Sequence, residues 1–77
     1  MKGSENMLNA DKLKAKIVEN RTNVYELSEK IGINKSTFYR KLSGHTDFTI
    51  KEASIISKEL KLTNDEVNVI FFSQNIA

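Results

Sequence analysis

The sequence predicts an all-α fold of five short helices, and three features carry that prediction. Apolar residues recur three and four positions apart, as at Val24, Leu27 and Ile31, the spacing that lines one face of a helix. An Asn or Thr followed three residues later by Glu stands at Asn23 and Glu26, at Thr49 and Glu52, and at Thr63 and Glu66, the pattern of a capping box at a helix start. No segment alternates long enough to compete as a strand, and no proline interrupts the pattern. The 77 residues read as a single domain, with 1–8 as a polar leader.

Asn9 can cap a first helix running to about Asn20, with Leu13 and Ile17 on its inner face and Val18 beside them. Lys12, Lys14 and Lys16 lie off that stripe, either solvated or touching phosphate. The second helix starts at Asn23 and keeps its stripe as far as Gly32, where a tight turn needs the positive φ that glycine adopts without steric cost. Ile33 can pack back into the angle, and Asn34 offers its side chain to the free amides of a third helix carrying Phe38 and Leu42. Ser28, one turn before Gly32, is small enough to let the two helices cross closely. Residues 24–42 thus read as a helix-turn-helix, on which the rest of the chain is arranged.

A loop of Ser43, Gly44, His45, Thr46 and Asp47 follows, with Gly44 as a C-terminal cap and Phe48 folding back into the core. The fourth helix carries Ala53, Ile56 and Leu60, flanked by Ile50 and Ile55, and the fifth carries Val67, Ile70 and Phe71. Phe71, Phe72 and Ile76 give the last helix more apolar surface than one stripe buries. That surface either covers an edge of a small core or seats a partner.

Composition closes several routes to function. There is no cysteine and a single histidine, His45, so thiolate chemistry is absent and no metal site of His and Cys can form. A chain this short hides only about 60% of the surface it exposes when unfolded, too little for a large catalytic pocket. Asp47 and Glu52 near His45 lack a nucleophile, and neither an enzyme nor a cofactor is expected. No apolar run approaches the roughly 20 residues that span a bilayer, and a cytoplasmic location is expected. The net charge is only +2, but Lys30, Lys35, Arg40, Lys41 and Lys51 face Asp47 alone between residues 30 and 51. That local excess suits a phosphate backbone, and a solvated lysine face is its bland counterpart.

Lys-Ile-Gly-Ile-Asn-Lys-Ser-Thr-Phe-Tyr-Arg-Lys-Leu at 30–42 and Phe-Thr-Ile-Lys-Glu-Ala at 48–53 resemble the lambda-repressor-like, Cro-type helix-turn-helix regulators. The similarity is nearest to small phage and plasmid repressors of Gram-positive bacteria and spans about residues 8–72. Ser28, Gly32 and Phe38 occupy the family's small, turn and buried positions. Ser28 stands where alanine is commonest, and Lys41 where many members bury an aliphatic residue, the apolar position having moved to Leu42.

The resemblance implies that helix 35–42 enters the major groove of double-stranded DNA while the preceding helix lies across the backbone. Lys35, Ser36, Tyr39 and Arg40 are then the base-reading candidates, and Asn23, Asn34, Thr37, His45, Thr46 and Lys51 the backbone contacts. Each has a plainer reading: Tyr39 as a boundary aromatic, Asn23 and Asn34 as caps, His45 as a solvated loop residue. The implied function is a repressor or Cro-like regulator of phage or prophage, acting as a homodimer on a two-fold operator, with Phe71, Phe72 and Ile76 as the dimer interface and a second regulator as a further partner. The alternative is a protein-interaction module of anti-repressor or antitoxin type, gripping a larger repressor or a toxin through the last helix.

Overall fold

Each helix begins where a short polar side chain takes up a free amide. The side chain of Asn9 accepts from the Lys12 amide, Asn23 from Glu26, Asn34 from Thr37, Thr49 from Glu52 and Thr63 from Glu66. These five contacts open α1 (Ala10–Glu19), α2 (Val24–Ile31), α3 (Lys35–Leu42), α4 (Ile50–Glu59) and α5 (Asn64–Phe71). The structure, a computed structural model, describes residues 8–72, and there is no strand among them. The reciprocal capping bond forms at α4 and α5, where Glu52 and Glu66 accept from the amides of Thr49 and Thr63 at 2.9 Å. It is not made at α2, because the Glu26 carboxylate takes the Thr22 hydroxyl instead, at 2.9 Å.

Four of the helices also end alike. Arg21, Gly32, Gly44 and Lys61 stand at φ 57°, 81°, 89° and 54°. The amide after each returns to a carbonyl five residues back: Thr22 to Ile17, Ile33 to Ser28, His45 to Arg40 and Leu62 to Ser57. This is the Schellman closure, which satisfies carbonyls that a helix end would otherwise leave open. Gly44 caps the C-terminus of α3 in this way, and Gly32 makes with Ile33 and Asn34 the three-residue turn between α2 and α3.

The apolar stripes meet in one core. Leu13 and Ile17 of α1, Leu27 of α2, Phe38 and Leu42 of α3, Ala53, Ile56 and Leu60 at α4, and Ile70 and Phe71 of α5 are all buried. Phe48, in the loop before α4, stands edge-on between Phe38 at 5.2 Å and Phe71 at 6.0 Å and so joins α3 to α5. Ser28 is buried where α2 packs, and its hydroxyl donates to the Val24 carbonyl at 2.7 Å, which removes the penalty of enclosing a polar group. Helix α2 packs against both α3 and α4, and α1 packs against α5. The Asn9 amide, just ahead of α1, donates to the Ile70 carbonyl at 2.7 Å.

Four expectations are corrected. Val18 and Ile50 point outward, at 75% and 77% exposed: Val18 sits about 100° round α1 from Ile17, and Ile50 is the first residue of α4, a turn ahead of the buried Ala53. Leu8 packs against the core and does not belong to a polar leader. Lys16 is turned inward: its ammonium pairs with Glu66 across to α5 and with Glu19 at 3.2 Å.

Two predictions follow from these ends and pairs. A Cβ built at Gly32 meets nothing within 4 Å, so Gly32→Ala carries only the cost of a left-handed backbone. That cost is about 1 kcal/mol, read as a lower urea midpoint at unchanged slope; a loss of several kcal/mol would contradict it. The Lys16 ammonium and then the Thr63 amide lower the Glu66 pKa below the ordinary 4.5. A carboxyl lowered in the folded state adds stability that is complete above its unfolded pKa and is lost as pH falls through the folded one. Glu66→Gln keeps an acceptor for the Thr63 amide, and its melting temperature should decline less steeply with acid than that of the parent; equal declines would remove Glu66 as a cause.

Candidate nucleic-acid interface

Helix α3 is short enough that two buried anchors set its orientation. With Phe38 and Leu42 buried, Lys35, Ser36, Tyr39 and Arg40 are exposed and Thr37 is half-buried. The helix contains no carboxylate, and neither Lys35 nor Arg40 forms an ion pair among the described residues. Its first turn is held by one side chain, since Asn34 Oδ1 accepts from the Thr37 amide and from the Ser36 hydroxyl, each at 2.9 Å. Ser36 therefore stands pre-oriented beside Lys35, with its oxygen lone pairs still able to accept.

Lys41 holds the far end of α3 and the loop that follows. Only 11% of its side chain is exposed, and its ammonium meets Glu52 of α4 at 3.1 Å and the Asp47 carbonyl at 3.0 Å. The same ammonium lies 5.9 Å from the Phe48 ring centre. A lysine takes a place where an aliphatic side chain would serve because its stem lies along the core edge while its head finds a partner. Glu52 is at once the reciprocal half of the α4 cap and the anion for Lys41. Lys41 is thus withdrawn from the free positive charge of this face, and Lys30 is partly offset by Glu59 at 4.0 Å.

Asn23, His45, Thr46 and Lys51 are exposed, Asn23 as the cap of α2 and Lys51 in the first turn of α4. His45 Nδ1 lies 2.9 Å from the Ser43 hydroxyl, which also reaches the Arg40 carbonyl at 3.1 Å. One cleft between α2 and α3 is lined by Tyr25 and Glu29 on one side and Asn34 and Lys35 on the other. Tyr25, 57% exposed, adds an aromatic to this face that stripe periodicity did not single out. A hydrogen bond to the Glu29 carboxylate raises the Tyr25 pKa, so the phenol keeps its proton. Glu29 also brings negative charge to the edge of the face.

At the opposite end of the chain, Phe71 is 6% exposed and spent on the core, where Phe48 meets its ring. Phe72 is 47% exposed and lines one apolar concavity with Leu8, Phe48 and the outward Ile50. Ile76 lies outside the described residues. Among the described residues no three His, Cys, Asp or Glu side chains converge to hold a metal ion, and no helix is long and apolar enough to cross a membrane. Comparison of the chain with models of protein families, with curated proteins and with solved structures gave no match.

The double use of Glu52 predicts an unequal pair of variants. Glu52→Ala opens the α4 cap and leaves the Lys41 ammonium without its anion, for a loss of at least about 1 kcal/mol. Lys30→Ala removes a pair of exposed side chains and should cost below about 0.5 kcal/mol. Chemical denaturation of both variants checks this, and equal losses would show that Lys41 and Glu52 are not an anchor.

Proposed function

We propose that residues 24–42 act as a helix-turn-helix and that the protein is a sequence-specific, DNA-binding regulator of transcription. The observation that carries this is the outward face of α3, where Lys35, Ser36, Tyr39 and Arg40 stand exposed, without a carboxylate on the helix and with neither cation in an ion pair among the described residues. An eight-residue helix with one buried and one such polar face has the size and chemistry to enter a major groove. Lys35 and Arg40 donate to guanine O6 and N7, Ser36 pairs with several base edges, and Tyr39 offers its hydroxyl to phosphate or its ring to a thymine methyl. Asn23, Asn34, Thr37, His45, Thr46 and Lys51 hold the sugar-phosphate backbone and set register without reading sequence. The resemblance to Cro-type regulators supports the same reading, including repression of a phage or prophage promoter from within the cytoplasm.

One α3 buries too little to supply both affinity and specificity, so the working form is a homodimer on a two-fold operator. Its seat is the apolar end of the chain. With Phe71 in the core, the exposed contribution comes from Phe72 with Ile50, and Ile76 extends the apolar sequence beyond the described residues.

A second reading is favoured by that same concavity. A protein module would use Phe72, Ile50, Leu8 and Phe48 to grip an apolar element of a larger repressor or a toxin, without DNA. Salt separates the two, because each phosphate neutralised lowers log affinity by about 0.9 per log unit of salt, whereas an apolar grip barely responds.

Fluorescence anisotropy with a duplex from the promoter beside this protein's own gene, against a scrambled duplex, is the direct test. Tight, salt-sensitive binding that prefers the native duplex is expected. Lys35→Ala and Arg40→Ala should each lose about 1–3 kcal/mol on the preferred duplex and much of the preference. Weak, equal binding to both duplexes at moderate salt would overturn the regulator reading and leave the protein module.

A further inference from the structure

We infer that Ser36 meets DNA only as a hydrogen-bond acceptor, and so selects a base pair that turns an amino group, adenine N6 or cytosine N4, towards it. The inference rests on the DNA-binding reading and deepens it, from a side chain that faces the groove to the chemical group that it reads. Two bonds in the first turn of α3 fix the polarity. Asn34 Oδ1 accepts from the Thr37 amide at 2.9 Å. A backbone N–H only donates, so the Asn34 atom at that place is the oxygen and not the amide nitrogen. The same oxygen lies 2.9 Å from Ser36 Oγ. It carries no hydrogen, so the hydroxyl gives its single proton to Asn34 and keeps only lone pairs for another partner. Both side chains are exposed, and the Ser36 hydroxyl engages no other group among the described residues.

Lone pairs alone narrow what the hydroxyl can meet. Phosphate oxygens accept and do not donate, and the same holds for guanine N7 and O6, adenine N7 and thymine O4. In the major groove the hydrogen-bond donors are the amino groups of adenine and cytosine. Each base pair carries one of them, on the strand of its adenine or its cytosine, so an acceptor held at a fixed point discriminates between the two orientations of a pair. The cations on the same face have the opposite chemistry: Lys35 and Arg40 only donate and suit guanine or phosphate. A guanine oxygen brought against Ser36 would set two acceptors face to face, or else draw the hydroxyl away from Asn34. Accepting from an amino group breaks no bond that the protein already makes. Asn34 is thereby a positioning residue, which caps α3 and also sets the sense in which Ser36 reads.

The experiment begins with a pool of duplexes of randomised sequence, from which the parent and Ser36→Ala each select bound sites at several salt concentrations. The parent should specify one base pair in each half-site whose identity is lost in Ser36→Ala while the other positions stay. Single groups are then removed from that pair in the preferred duplex: the amino group of its adenine or cytosine, or N7 of its purine, replaced by carbon. Loss of the amino group should weaken the parent roughly tenfold more than Ser36→Ala, and loss of N7 should affect the two alike. Reversing the pair sets an acceptor where the amino group stood, and should also weaken the parent roughly tenfold. Asn34→Gly keeps a tolerated cap and frees the hydroxyl to turn and donate, so reversal should matter far less in it. Asn34→Asp keeps an oxygen for both donors and should respond to reversal as the parent does. A clear selected site with no Ser36-dependent pair overturns this inference alone, as does a pair whose amino group is removed without loss to the parent, or an Asn34→Gly variant that discriminates as the parent does. A pool from which nothing is enriched, or binding that ignores salt, overturns the DNA reading and this inference with it.

Discussion

The satisfaction of helix ends is the constraint on which this fold depends. Its helices are eight or ten residues long, below the length at which a helix persists alone in water. Each leaves four amides and four carbonyls without intrahelical partners, so end groups outnumber the bonds within the shortest helices. Five side-chain caps and four left-handed closures answer most of that demand locally. Burial of the apolar stripes then has only to hold together units whose boundaries are already fixed.

Two glutamates convert end chemistry into tertiary structure. Glu52 and Glu66 close the boxes of α4 and α5, and each receives a lysine from a helix elsewhere in the chain, Lys41 from α3 and Lys16 from α1. Neither pair is far from water, and neither would be expected to stabilise much as an isolated surface ion pair. Their effect is geometric: a carboxylate already immobilised by its cap loses little further freedom when a lysine arrives. The outward face of α3 owes its orientation to this arrangement as much as to Phe38 and Leu42.

How much of this was legible in the sequence depended on whether the information was local. Caps at Asn9, Asn23, Asn34, Thr49 and Thr63 were readable because donor and acceptor lie three residues apart. Gly32 announced its turn, but Arg21 and Lys61 adopt the same left-handed conformation without any residue-type signal. Neighbouring apolar residues were the weak point. Ile17 and Val18 lie about 100° apart on a helix, and periodicity alone does not say where the buried sector ends. The candidate face followed the same division: the exposed set on α3 came directly from its two inward residues, whereas Tyr25 and Glu29 reach its edge from a different helix. The partners of Lys16 and Lys41 were hidden for the same reason, since their glutamates are brought near only by packing.

The Lys41 tether also bears on motion. By joining the last turn of α3 to the Asp47 carbonyl and to the first turn of α4, it makes the intervening loop part of the same cooperative unit as the helices on either side. The hydrogen-bonded amides of this stretch, those of His45, Thr49 and Ala53 among them, should then exchange through a common opening rather than through a loop that frays independently. A ligand docking on α3 would meet a surface whose ordering cost was met during folding, and its dissociation would not be hastened by a loosening loop.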